Sequence, residues 1–159
     1  TTDNGTTPLH IAVFNGHAEV SRLLIGGGAS VNQVMTGDGT TPLHVAAQEG
    51  RIEVMDLLIS SGAVVNQVRT DDGTTPLYIA AQEGRTEVIN LLISSGAAVN
   101  QATTDGGETP LYIAARKGHT EVVRLLIGGE AAVNQSRTDD GTTPLYAAAF
   151  KGHTEVASL

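Results

Sequence analysis

The sequence predicts an all-α repeat solenoid, with helix-turn-helix units stacked in series and a projecting turn between each unit and the next. Three observations carry that prediction. The string Thr-Pro-Leu recurs at Thr7, Thr41, Thr75, Thr109 and Thr143, every step being 34 residues without insertion or deletion. Residues 41–74 and 75–108 agree at 24 of 34 positions. Each unit also holds two short apolar stretches bounded by helix start and stop residues, followed by a polar, Gly-rich segment. Two short helices cannot bury their own apolar face, so stacking of neighbours has to build the core. The 159 residues therefore read as one domain, 1–159, of four full periods plus a partial unit.

The elements of a unit follow in order from local chemistry. Thr41 is a helix N-cap, its hydroxyl able to accept a free backbone N–H, and Pro42 sits at the first helical position. A short apolar helix is predicted over Leu43–Gln48, ended by Gly50. Glu53 lies near the start of a second helix, where the helix dipole favours an acid. Val54, Met55, Leu57, Leu58 and Ile59 form its packing face. Ser60-Ser61-Gly62 closes it, with Gly62 placed for a left-handed turn. Residues 63–74 are too polar and Gly-rich for helix and carry the turn signal Asp72-Gly73.

A 34-residue period also suits the tetratricopeptide repeat, but that family needs longer helices and bulky aromatic positions. The segment Gly39-Thr40-Thr41-Pro42-Leu43-His44-Val45-Ala46-Ala47, followed by Gly50, Val54, Leu57-Leu58, Gly62-Ala63 and Val65-Asn66, instead resembles the ankyrin repeat. The resemblance covers every unit. It implies an L-shaped stack with β-hairpin turns projecting from the helical layer. It further implies recognition on the concave side, through the turn tips and the first helix of each pair. Three departures stand out. One extra residue lies between Asn66 and Pro76, in the projecting turn, since the family's units usually run 33 residues. Tyr78, Tyr112 and Tyr146 replace a His that is kept at His10 and His44. Glu130 occupies the place of Gly28, Gly62 and Gly96, where a left-handed turn costs a non-glycine residue about 1–2 kcal/mol.

Composition narrows the function. Nine Lys and Arg against 17 Asp and Glu leave a net charge of -8, which argues against nucleic acid or an anionic membrane as partner. There are no cysteines, which excludes disulfides, thiolate metal sites and cysteine nucleophiles. The absence of a signal-like or membrane-spanning run favours an intracellular location. Aromatics are 3 % and Trp is absent, so Ala, Val, Leu and Ile must build the core.

The candidate chemical motifs have structural explanations. His10 and His44 lie one period apart, and stacked helices about 8–10 Å from each other cannot share an ion. In the ankyrin family this His bonds backbone and the capping Thr. His17, His119 and His153 alternate with Arg51 and Arg85 at one place in the unit; a metal ligand does not tolerate Arg, so capping or surface roles are expected. Asp71-Asp72-Gly73 and Asp139-Asp140-Gly141 lack the following Glu of a calcium loop and read as turn formers. Gly26-Gly27-Gly28 follows no strand and precedes no Lys-Ser or Lys-Thr, so it is not a phosphate loop. The triplets Asn4-Gly5-Thr6 and Asn134-Gln135-Ser136 match a glycosylation acceptor only by composition. No enzyme activity, metal or cofactor is expected.

Positions that vary among near-identical units are free for another role. The two residues ending each first helix vary most: Phe14-Asn15, Gln48-Glu49, Gln82-Glu83, Arg116-Lys117 and Phe150-Lys151. The turns vary at Met35, Arg69, Thr103 and Arg137, at Asp38, Asp72, Gly106 and Asp140, and at Thr40, Thr74, Glu108 and Thr142. Phe14, Asn15, Gln48, Glu49, Gln82, Glu83, Arg116, Lys117, Phe150, Lys151, Met35, Arg69 and Arg137 are therefore the candidate partner-binding residues. Residues 1–108 hold 12 acids and 4 bases, residues 109–159 five of each, so this line should run from acidic to basic. The expectation is a monomeric scaffold that binds a protein partner. The alternative is a structural spacer cut or designed from a longer array, suggested by the apolar Val20, Leu23 and Leu24 in the first unit and by Leu159 falling inside a second helix.

Overall fold

A computed structural model describes residues 2–159. Among them run ten helices: α1 (Pro8–Phe14), α2 (Ala18–Gly26), α3 (Pro42–Glu49), α4 (Ile52–Ser60), α5 (Pro76–Gln82), α6 (Thr86–Ser94), α7 (Pro110–Lys117), α8 (Thr120–Gly128), α9 (Pro144–Lys151) and α10 (Thr154–Ala157). Each odd-numbered helix packs on the next odd-numbered one, each even-numbered helix on the next even-numbered one, and the two rows pack together pair by pair. Equivalent residues of successive units therefore lie side by side.

The starts of the odd helices behave as their sequences dictate. Thr7, Thr41, Thr75, Thr109 and Thr143 are extended N-caps whose hydroxyls accept the backbone N–H three residues on. At Thr41 the cap is reciprocal, because His44 Nδ1 accepts the Thr41 N–H at 3.2 Å. With Pro included, α3 extends one residue beyond the predicted helix at each end. In the even helices, Val54, Met55 and Leu58 are buried while Leu57 and Ile59 are half-buried, so the packed stripe is narrower than predicted. One side of each even helix faces its odd partner, and the residues flanking that contact stay partly wet.

Helices α2, α4, α6 and α8 end alike. The Ala63 N–H reaches back to Leu58 O at 2.9 Å across Gly62, whose φ is +91°. This is the left-handed cap that satisfies carbonyls of the last turn. Glu130 adopts the same region at φ +66°, the one non-glycine residue to do so among the described residues. Alanines at the odd-helix contacts, Ala46, Ala47, Ala80, Ala81, Ala114 and Ala115, are at most 1 % exposed and allow close approach of the helices. Leu58, Leu92 and Leu126 are fully buried beneath them.

The turns are not β-hairpins. No strand forms among the described residues. Each turn is closed by a backbone bond five residues wide, as from Arg69 N–H to Thr74 O at 2.9 Å. Neighbouring turns are joined through Thr36 N–H to Asn4 O, Thr70 to Asp38, Thr104 to Asp72 and Thr138 to Gly106. A single bond at each junction is too sparse for a ladder. Asp side chains meanwhile occupy the donors a hairpin would use: Asp72 Oδ1 accepts from Thr74 N–H at 2.9 Å, as Asp38 does from Thr40 and Asp140 from Thr142. The Asp-Gly motifs are thus turn formers.

Candidate partner-binding surface

The residues that end the odd helices and those at the turns border common hollows. Gln48 and Gln82, from α3 and α5, line one of about 300 Å³ together with Arg69, Asp72, Asp105 and Arg137 from the turns. Arg116, Phe150 and Lys151, from α7 and α9, line another of about 270 Å³ with Tyr112 and Arg137. Two separately chosen groups of variable positions therefore share one side of the stack.

Their freedom differs. Phe14, Gln48, Glu83, Lys117, Phe150 and Lys151 are exposed. Glu49 and Gln82 are half-buried; Gln48 donates to Glu49 at 3.2 Å and Gln82 to Glu83 at 3.1 Å. The Asn15 amide donates to Ile11 O at 2.9 Å and so completes its own helix end. Met35 is half-buried and closes its turn through a backbone bond to Thr40 O at 2.9 Å.

The arginines are engaged internally, which composition did not reveal. Arg69 bonds Asp38 at 3.1 Å and Asp71 at 2.7 Å, with Asp72 at 3.9 Å. Arg137 pairs with Asp139, with Asp140 at 3.4 Å and with Glu108 at 3.7 Å. Arg116 also pairs with Glu108, and the two guanidinium groups lie 5.7 and 5.5 Å from the Tyr112 ring centre. Glu108 is 8 % exposed and accepts a further bond from the Tyr78 hydroxyl at 2.6 Å. Burial and that carboxylate raise the Tyr78 hydroxyl well above the ordinary tyrosine value. The acid-to-base gradient read from the sequence is consequently muted at Arg116 and carried by Lys117 and Lys151.

Glu108, Tyr78 and Tyr112 were not among the candidates, although a signal exists. His10 and His44 reach the Thr40 and Thr74 carbonyls thirty residues on, both at 3.3 Å. Tyr78 makes the same step to Glu108, and Tyr112 to the Thr142 hydroxyl at 3.2 Å. At Tyr78 the change from His coincides with Glu in place of Thr, at position 108, whereas Tyr112 keeps a Thr partner, at 142.

The histidines have defined structural partners. His10 and His44 sit in the caps described above, and burial pushes His44 down to about 4. The site shared by Arg and His is more than a surface or capping position. Arg51 and Arg85 donate to Phe14 O and Gln48 O at 3.2 and 3.1 Å, and His119 and His153 meet Gln82 O and Arg116 O at 3.0 and 3.1 Å. Each clips its unit to the end of the preceding odd helix, and either side chain serves because the bond needs one ring or guanidinium N–H. No group of three or more His, Asp or Glu is arranged to hold a metal among the described residues. No helix is long and apolar enough to cross a membrane.

Comparison with known proteins agrees with this architecture. A stretch of 36 residues, 23 % of this chain, is 56 % identical to part of an E3 ubiquitin-protein ligase, XBAT32, of Arabidopsis thaliana. The chain covers 7 % of that protein's length. The family described as "Ankyrin repeats (3 copies)" matches residues 1–69, 34–103 and 95–159. From its first residue to its last, the chain belongs to the ankyrin-repeat family.

Proposed function

We propose that the chain is a non-catalytic scaffold whose odd-helix ends and turns bind a protein partner. Ankyrin repeats generally mediate protein–protein interaction. The observation that carries the reading is the row Phe14, Gln48, Gln82, Arg116 and Phe150, with Asn15, Glu49, Glu83, Lys117 and Lys151 beside it. These positions recur every 34 residues and vary among units that are otherwise near-identical, and Gln48, Gln82, Arg116, Phe150 and Lys151 border hollows shared with the turns. A binding role rather than catalysis is supported by the polar groups themselves. His10, His44, His119 and His153 bond caps or backbone carbonyls, and Arg69, Arg116 and Arg137 bond carboxylates within the turns.

The test uses a partner captured from cell extract. Lys117→Glu combined with Lys151→Glu reverses two exposed charges without touching the Glu108 network, and is expected to weaken binding by about 2 kcal/mol. Arg22→Glu with Arg124→Glu, on the even helices, is the matched control and should leave affinity within about 0.5 kcal/mol. A control that weakens binding as much as the lysine pair would move the interface to the even-helix row.

A further inference from the structure

The row's open cations are concentrated beside an exposed aromatic pair. Tyr146 and Phe150 stack with ring centres 6.3 Å apart and planes 10° from parallel. They are 56 % and 74 % exposed. The Lys151 ammonium lies 5.7 Å from the Phe150 ring centre. Neither Lys151 nor Lys117, its equivalent one unit earlier, has a carboxylate within 4.0 Å among the described residues. Both rings and Lys151 border the hollow of about 270 Å³, whose inner wall is Tyr112 between the paired Arg116 and Arg137; Asp140, the one carboxylate in the lining, is paired with Arg137 at 3.4 Å.

The register of Phe150 and Lys151 keeps at least part of each side chain accessible along the row. In units with neighbours on each side, Gln48 is exposed and Gln82 and Arg116 half-buried at the Phe150 position, while Glu83 and Lys117 are exposed and Glu49 half-buried at the Lys151 position. Tyr146 differs, because its equivalents Tyr78 and Tyr112 are 6 % and 5 % exposed. The cleft therefore rests on Phe150 and Lys151, with Tyr146 stacked on Phe150, and Lys117 stands outside the hollow at the next position along the row.

Building on the scaffold reading above, we propose that this cleft binds an acidic peptide segment in which a carboxylate side chain neighbours an aromatic or aliphatic one. The apolar group lies against the Phe150–Tyr146 stack, and the carboxylate meets Lys151 and Lys117. Exposed aromatics beside cations are the residue types that anchor interfaces. Charge selects the ligand's sign, since a cationic segment meets two unpaired lysines here and is favoured instead by Glu49 and Glu83 at the same register two units earlier. The paired arginines form a wall and add little free charge.

The test is fluorescence anisotropy of the whole chain with a labelled peptide Gly-Glu-Glu-Phe-Glu-Glu-Gly, alongside versions with Lys for Glu and with Ser for Phe. The proposal expects the Glu–Phe peptide to bind and both altered peptides to bind about tenfold more weakly or not at all. Lys117→Glu with Lys151→Glu should weaken it about tenfold, and Phe150→Ala by about fivefold, with urea midpoints of all variants unchanged. No binding of the Glu–Phe peptide, equal binding of the Lys version, or indifference to these substitutions would overturn the proposal. Backbone amide shift mapping separates the two levels. Shifts confined to residues 48–49 and 82–83 contradict the cleft and leave the odd-helix row standing, whereas shifts on α2, α4, α6 and α8 contradict the row as well.

Discussion

At the scale of single residues, two positions set measurable costs. Glu130 holds φ +66°, where Gly28, Gly62 and Gly96 stand in the other units at +93°, +91° and +85°. A Cβ at those three glycines meets nothing within 4 Å, so backbone conformation and not crowding sets the penalty. Glu130→Gly should raise stability by roughly 1 kcal/mol, the left-handed penalty less the freedom glycine adds to the unfolded chain. Gly62→Ala should lower it by a similar amount. Urea midpoints of the two variants check both signs. His44 supplies a pH effect. Its folded value of about 4 lies below the ordinary 6.5, chiefly through burial, so the unfolded chain takes up the proton first as pH falls. The stability it contributes is complete above pH 6.5, declines between 6.5 and 4, and is lost below, by about 3 kcal/mol. Burial lowers His10 too, which adds a loss of the same sign. His44→Tyr places at this position the residue that α5 and α7 already bury. It should reduce the stability lost between pH 7 and pH 4.5, as read from denaturant melts at the two values.

At the scale of elements, what was legible in the sequence is what is local. The Thr caps, the Pro starts, Gly50 and Gly62 act within one turn of chain, and each helix falls where those residues put it. The turns were less legible. A β-hairpin needs repeated pairing, but Asp72 Oδ1 takes the Thr74 N–H two residues on, and the single backbone bond that joins the turn to the next, Thr104 N–H to Asp72 O, is set between units. The engagement of Arg116 and Arg137 with Glu108 was hidden for the same reason, since the three residues come from α7, the next turn and the preceding turn. The alternation of Arg and His at one place in the unit was visible, but its purpose was not. A shared bond to a carbonyl 37 residues back becomes apparent when the units are stacked. That role gives an element-scale prediction. His119→Ala leaves Gln82 O without its partner and should cost about 1 kcal/mol, while His119→Arg, copying Arg51 and Arg85, should stay within about 0.5 kcal/mol. Urea denaturation distinguishes the two, and equal losses would show that the imidazole does something a guanidinium cannot.

At the scale of the whole molecule, repetition turns one variable position into a continuous surface. Stacking of the odd helices sets Asn15, Glu49, Glu83, Lys117 and Lys151 in one line, and stacking of the even helices forms a second row with its own exposed charges, Arg22 and Arg124 among them. The line changes sign once, between Glu83 and Lys117. Such a field orients a partner and raises the rate of encounter more than it adds affinity. Amide hydrogen exchange of the chain, free and bound to a captured partner, tests the assignment of these rows most directly. New protection should appear at the ends of α3, α5, α7 and α9 and in the turns at residues 69–74, 103–108 and 137–142, with α2, α4, α6 and α8 unchanged. Protection centred on those even helices, with the odd-helix ends unaffected, would contradict the account.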